Sequence, residues 1–309
     1  MIRLWARLSA WMGSLLLLSL MGSRLAVGQP AASGGDTGGT AATPGSGPPA
    51  ATDAPRRGSF TASLSAGNNS SFFGRTQAER YPYAAAELAY TSRFGIWGSV
   101  VSYNLFATTS FIDETDVSVG WDGDLSKKID ASVSYSRFLF AANSPLVKSS
   151  VNNSLDGYVG WDWVYVYSRL NASYVFGEAS DVFLILDNSR YFKLDKVLGG
   201  YVAIEPRLSA TMGTQRFVET SLVQQQTRGN RPGGPGRGNA PGNPGRTKTE
   251  TTEITRFRLL NAELRVPVTY TKGSVSVQGA WRYTVPLNLL PEDVTQARSF
   301  LTASVSLTL

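Results

Sequence analysis

From Gly58 to Leu309 apolar and polar residues alternate in short runs, and no run settles into a capped 3.6-residue period. In "SFTASLSAG" Phe60, Ala62 and Leu64 fall on one side, with Thr61, Ser63 and Ser65 on the other. "KIDASVSYS" sets Ile129, Ala131, Val133 and Tyr135 against Asp130, Ser132, Ser134 and Ser136. "LLNAELRVPVTY" sets Leu260, Ala262, Leu264, Val266, Val268 and Tyr270 against Asn261, Glu263, Arg265 and Thr269. Such strands offer one face to hydrocarbon and one to water. The pattern predicts an all-β domain of about twelve antiparallel strands, with ten or fourteen also compatible. They are expected near 59–67, 83–92, 96–107, 115–122, 128–139, 154–163, 166–176, 181–191, 200–213, 254–270, 274–286 and 299–309.

The connections sort by length. Tight ones at Phe94-Gly95, 123–127 and "TKGS" alternate with long ones at 68–82, 140–153 and 214–253. Short turns on one rim and long loops on the other are the arrangement of an up-and-down transmembrane β-barrel. A soluble β-sandwich is the competing architecture, but it needs large apolar residues on its inner face. Here the second face is mostly Ser, Thr, Asn, Asp and Arg. The tetrapeptide "VGWD" at 119–122 and again at 159–162, each followed by a new strand, fits two equivalent hairpins of one barrel.

The segments before Gly58 read differently. Residues 1–28 begin with Arg3 and Arg7, continue through an uncharged apolar stretch and reach the small residues Ala26 and Gly28. This is the form of a secretory signal, with an uncleaved anchor as the alternative. Residues 29–57 hold no apolar side chain larger than alanine and are expected to be a disordered Pro/Gly/Ala-rich linker. Within the barrel domain, 219–253 is expected to be a long disordered loop. Its stretch 228–248 carries Arg228, Arg231, Arg237, Arg246 and Lys248 with no acid. That loop is either a solvated insertion or a contact for anionic polysaccharide.

A secretory start, a period-two domain of even strand count and the final run "SFLTASVSLTL" together resemble the outer-membrane β-barrel proteins of Gram-negative bacteria. The resemblance implies an outer-membrane location with both termini in the periplasm. It implies contact with membrane lipids and lipopolysaccharide, and recognition of the last strand by the barrel assembly machinery. In that family the last residue is usually Phe or Tyr, whereas here it is Leu309, with Leu307, Val305, Ala303 and Leu301 keeping the alternation. Trp97, Trp121, Trp161 and Trp163 lie close to the short turns, where an interfacial aromatic belt is expected. Tyr83, Phe106, Phe138, Phe140, Phe176 and Phe300 approach the other rim as a second belt.

Composition narrows the chemistry. The chain has no histidine and no cysteine, which removes the commonest general base and the thiolate ligands. No phosphate-cradling loop or metal-ligand spacing occurs, and "GGPGRG" at 233–238 neither follows a strand nor precedes a helix. The expectation is a non-enzymatic protein with no cofactor, no metal and no nucleic-acid partner. The charged residues of the polar face are Glu87, Asp130, Asp156, Arg169, Glu205, Arg207, Glu263, Arg265 and Arg282. An arginine at the lipid midplane costs about 2–4 kcal/mol, so the alternation is expected to turn them into the lumen. There they either line a narrow passive channel for small solutes or fill a closed structural barrel that displays the basic loop. With Lys272-Gly273 taken as the hairpin tip, Thr269 faces Ser276 and Glu263 faces Arg282.

Overall fold

The structure, a computed structural model, describes residues 58–309 except 77, 107, 142–149, 217–256 and 292. The expected signal segment, the linker and the basic loop lie outside the described residues. Among the described residues the strands are β1 (Ser59–Gly67), β2 (Tyr83–Thr91), β3 (Ile96–Leu105), β4 (Glu114–Ser126) and β5 (Ile129–Phe140). There follow β6 (Val151–Asp162), β7 (Tyr167–Gly177), β8 (Ser180–Ser189), β9 (Phe192–Val197) and β10 (Gly200–Ile204). The last four are β11 (Arg207–Gly213), β12 (Arg258–Lys272), β13 (Val275–Pro286) and β14 (Arg298–Thr308).

Twelve of these strands close into an antiparallel barrel in which each neighbours its successor, with β8 beside β11 across the inserted β9 and β10. The seam is formed by β1 and β14, paired from Thr61 with Thr308 to Gly67 with Thr302. Beyond that ladder Phe60 and Leu309 exchange both backbone hydrogen bonds, at 3.0 and 2.8 Å. Closure leaves no unpaired edge among these twelve strands, and an unsatisfied peptide group facing hydrocarbon would cost several kcal/mol. Alternation then decides the faces. Leu64, Val100, Val133, Leu170, Leu186 and Leu301 are exposed on the outside, while serines, threonines and charged residues alternate with them on the buried inside.

Three features differ from the sequence expectation. The expected strand 181–191 ends at Ser189, and 200–213 is divided at Glu205–Pro206. Proline has no N–H to continue a ladder, so the strand breaks there and pairing resumes in β11, while the residues between Ser189 and Glu205 form the hairpin β9–β10. That hairpin turns at Leu198 and Gly199, both at positive φ, and β10 pairs with the end of β12 from Val268 to Thr271. It extends the sheet on the rim of short turns.

The second difference is register. Gly273, with φ +58°, occupies the first tip position of the β12–β13 turn, and Lys272 faces Val275. The tip is thus one residue further along than expected, which moves every facing pair by two. Thr271 faces Ser276, with their hydroxyls 2.8 Å apart, Arg265 faces Arg282, and Glu263 faces Thr284. A shift of two keeps each side chain on its own face.

The third concerns aromatics. Trp97 is only 1 % exposed and lies on the inward face with Ser99 and Val101, its ring over Gly120. Nearness to a turn suggested an interfacial position, but parity decides: Ile96 and Val100 point outward, so Trp97 points in. Tyr83, Phe138 and Phe300 are inward for the same reason, whereas Phe106 is exposed. Trp121, Trp161 and Trp163 are outward, and the last two stack at 4.9 Å.

Candidate functional site

The interior has an apolar end and a charged body. At the long-loop end the β1–β2 connection folds into the barrel and carries "SFFGR", residues 71–75, across it. Phe72 and Phe73 pack with Val151 of β6, Val175 of β7, Phe183 of β8 and Leu260 of β12. The Phe73 and Phe183 rings stack at 3.7 Å. A second apolar cluster of Tyr83, Val101, Tyr103 and Leu105 fills the same end beside β2 and β3.

Arg75 fastens this plug. Its Nη1 donates to the Leu260 carbonyl at 3.1 Å, and its Nη2 donates to the Leu287 carbonyl at 3.0 Å and to Gln215 Oε1 at 2.9 Å. Its Nε lies 3.1 Å from Asp293 Oδ2 in the β13–β14 loop. Burial pushes the guanidinium down from its ordinary range, and the Asp293 carboxylate pulls it back up. Next to it the Thr76 N–H donates to Thr295 Oγ1 at 3.1 Å, so the two loops are joined at consecutive residues.

Below the plug lie the charged residues singled out in the sequence. On β7 Arg169 faces Asp187 of β8, with Nη2 to Oδ2 at 3.1 Å. Asp187 also accepts from Asn171 Nδ2 at 2.9 Å and from Ser209 Oγ at 2.5 Å. On the other side Arg169 covers the Tyr158 ring at 5.0 Å. Asp130 of β5 accepts the Tyr167 hydroxyl at 3.0 and 2.8 Å, across the strand that lies between them. Gly160 of that strand makes the reach possible, since a methyl there would sit 2.0 Å from the Tyr167 oxygen. Asp156 accepts from Ser154 and Ser173 at 2.6 and 2.5 Å.

Arg207, Arg265 and Arg282 occupy directly facing positions on β11, β12 and β13. Like charges placed opposite one another destabilise a sheet, so acids are interleaved with them. Glu205 Oε1 is 3.3 Å from Arg207 Nη2. Glu263 Oε2 reaches Arg282 Nη1 diagonally at 3.7 Å and accepts from the Thr284 hydroxyl at 2.8 Å. Arg282 also donates to Ser71 Oγ of the plug at 2.9 Å and lies 4.3 Å over the Phe300 ring. Glu87 of β2 accepts from Ser63 Oγ at 3.4 Å, away from the arginines. The nine charged residues thus form one group around β7–β13, with Asp130 and Asp156 beside it and Glu87 apart.

Sequence reasoning missed Arg75, Asp293, Tyr167 and Asp187. Two adjacent phenylalanines in an otherwise polar loop were the signal for the plug. Asp187 was an inward position of a strand recognised as one, and nothing in its local pattern separated it from a solvated acid. Among the described residues no group of His, Cys, Asp and Glu could hold a metal ion.

No family model matches the chain, and no curated protein matches it in sequence. Solved structures resemble it in architecture. The NanC porin covers 80% of this chain with 100% of its own, at 10% identity and a TM-score of 0.44. The KdgM porin covers 80% with 98% of its own, at 8% identity and a TM-score of 0.44. The COG4313 outer membrane channel from Pseudomonas putida F1 covers 84% with 99% of its own, at 10% identity and a TM-score of 0.44. At the level of architecture the chain resembles outer-membrane β-barrels, without a specific subfamily.

Proposed function

We propose that the protein is an integral outer-membrane barrel that serves as a narrow passive channel for small solutes, constricted at its long-loop end by the β1–β2 plug. The observation that supports this reading is the charged body of the lumen below the plug. A filler needs volume, and apolar side chains supply it without the desolvation cost of buried ions. Ionisable groups along the interior instead suit ion or solute passage. In the same reading both termini lie in the periplasm, on the side of the short turns where β1 begins and β14 ends. The outer face meets lipid and lipopolysaccharide, and β14 is the strand presented to the barrel assembly machinery. The reading is non-enzymatic, because a chain without histidine lacks the usual base for lipid hydrolysis.

A second reading, a closed structural barrel, is favoured by one specific observation: Arg169 and Arg282 are only 6 % and 5 % exposed beneath the stacked Phe73 and Phe183. Single-channel recording in planar bilayers separates the two. The channel reading expects discrete current steps from the whole protein and larger ones from a variant lacking residues 70–76. Silence from both would overturn it in favour of the closed barrel. A lipid-hydrolysis assay should give no turnover.

A further inference from the structure

The charges inside the barrel are sorted by wall. On β2 to β6 every inward-facing charged side chain among the described residues is an acid. β4 supplies Glu114, Asp116, Asp122 and Asp124 at alternate positions spanning nearly its whole length, from the plug end to the short-turn rim. Glu87 stands on the neighbouring β2 wall, and Asp130 and Asp156 on β5 and β6. Between them the same face carries hydroxyls, with Ser118 and Ser136 joined at 2.8 Å. Of the inward arginines, Arg169, Arg207, Arg265 and Arg282 belong to β7 to β13, and Arg298 lies on the same face at the long-loop end of β14. The first four are interleaved with Asp187, Glu205 and Glu263, so that wall is close to balanced.

The plug adds an independent asymmetry. It is fastened to the arginine side: Ser71 to Arg282, Arg75 to the Leu260 and Leu287 carbonyls, and Phe73 to Phe183. The plug is thus fastened mainly to the balanced side, and along β4 the carboxylates of Asp116 and Asp122 stay partly exposed. Screening does not erase the difference. The Debye length is about 8 Å at physiological ionic strength, so a small solute beside one wall feels that wall first.

Resting on the channel reading above, we propose that the lumen selects by charge, passing small solutes that carry a cationic group along the carboxylate wall of β2 to β6. A lumen lined by one sign of charge enriches the opposite ion, and lumen substitutions are the ones that tune selectivity. The arginine row on the facing wall restrains anions against fixed positions and keeps them off that track.

The test is the reversal potential under a potassium chloride gradient in planar bilayers. It is measured on the whole protein and on the variant lacking residues 70–76, which provides current if the plug limits it. The expected result is a severalfold preference for potassium over chloride. It should fall toward unity in Asp116→Asn/Asp122→Asn and rise in Arg265→Gln. Anion preference, or a reversal potential unmoved by Asp116→Asn/Asp122→Asn, overturns charge selection while leaving a channel. Absence of current from both forms overturns the channel reading itself, and charge selection with it.

Discussion

Asp293 Oδ2 lies 3.1 Å from Arg75 Nε, and the two side chains are almost wholly withdrawn from solvent although they come from loops at opposite ends of the chain. Sequence distance hides this neighbourhood, because β1 and β14 close the barrel and bring their loops together. Arg75 is the only charged side chain of the plug segment 71–75, and its hydrogen bonds tie that segment to β12 and to the loop after β13.

Removing one partner of a buried pair leaves the other charge uncompensated, which costs about 3–5 kcal/mol. Asp293→Asn should therefore lower the temperature at which the folded, fast-migrating form is lost on a gel, and it should enlarge or destabilise the single-channel current. An unchanged melting temperature together with unchanged current would show that the two loops are not clasped.

The register of the β12–β13 hairpin can be read chemically because the chain has no cysteine. Arg265 and Arg282 face each other directly, while Glu263 faces Thr284. Arg265→Cys/Arg282→Cys should form a disulfide readily under mild oxidation. Glu263→Cys/Arg282→Cys should form it poorly, since a bridge needs Cβ atoms about 3.5–4.5 Å apart. The reverse ranking would restore the register expected from a Lys272-Gly273 tip.

How much of this was legible in the sequence depends on the kind of information involved. Period-two alternation fixes which face a side chain takes, so Arg265, Glu263 and Arg282 share one face even though their register is displaced from the expected one. Register depends on which residue sits at a tip, and "YTKGSV" admits glycine at either tip position. Trp97 was misjudged where distance from a turn was allowed to outweigh parity. The β9–β10 hairpin was missed because the expected strand 181–191 runs past the Asp-Asn-Ser turn signal at 187–189, leaving "FKLDKV" too short to stand out as a strand. Where the plug lands was illegible for a different reason. Phe73 meets Phe183 only once the barrel is closed, and no local pattern encodes that contact.

Gly160 lies between Asp130 and Tyr167, and a methyl group there would sit 2.5 Å from Asp130 Oδ1 as well as against the Tyr167 hydroxyl. Gly160→Ala should destabilise the barrel by about 1–3 kcal/mol through overpacking and loss of that hydrogen bond. Tyr167→Phe removes the hydroxyl but also relieves the crowding. The double variant should therefore be more stable than the sum of the single losses implies, measured by denaturant unfolding in detergent. Strict additivity would show that the three residues do not share one space.

The seam sets the last expectation. Leu309 donates to the Phe60 carbonyl and accepts from its N–H, Thr308 N donates to the Ser274 carbonyl at 2.9 Å, and Leu307 faces Ala62. Deleting residues 307–309 would expose the matching peptide groups of β1 and β13 at the boundary of the lipid-facing sheet. Each unpaired group there costs several kcal/mol, so a loss of three residues is large beside a folding stability of about 5–15 kcal/mol. The truncated chain should fail to give the heat-modifiable form on a gel and should lose its β-rich circular dichroism spectrum after refolding into detergent. Leu309→Phe keeps every backbone bond and an apolar outward side chain, and it should fold as the unaltered chain does. If the truncated protein instead folds with the same mobility and melting temperature, the closing pairs at the end of β14 contribute little, and closure is carried by the middle of the β1–β14 ladder alone.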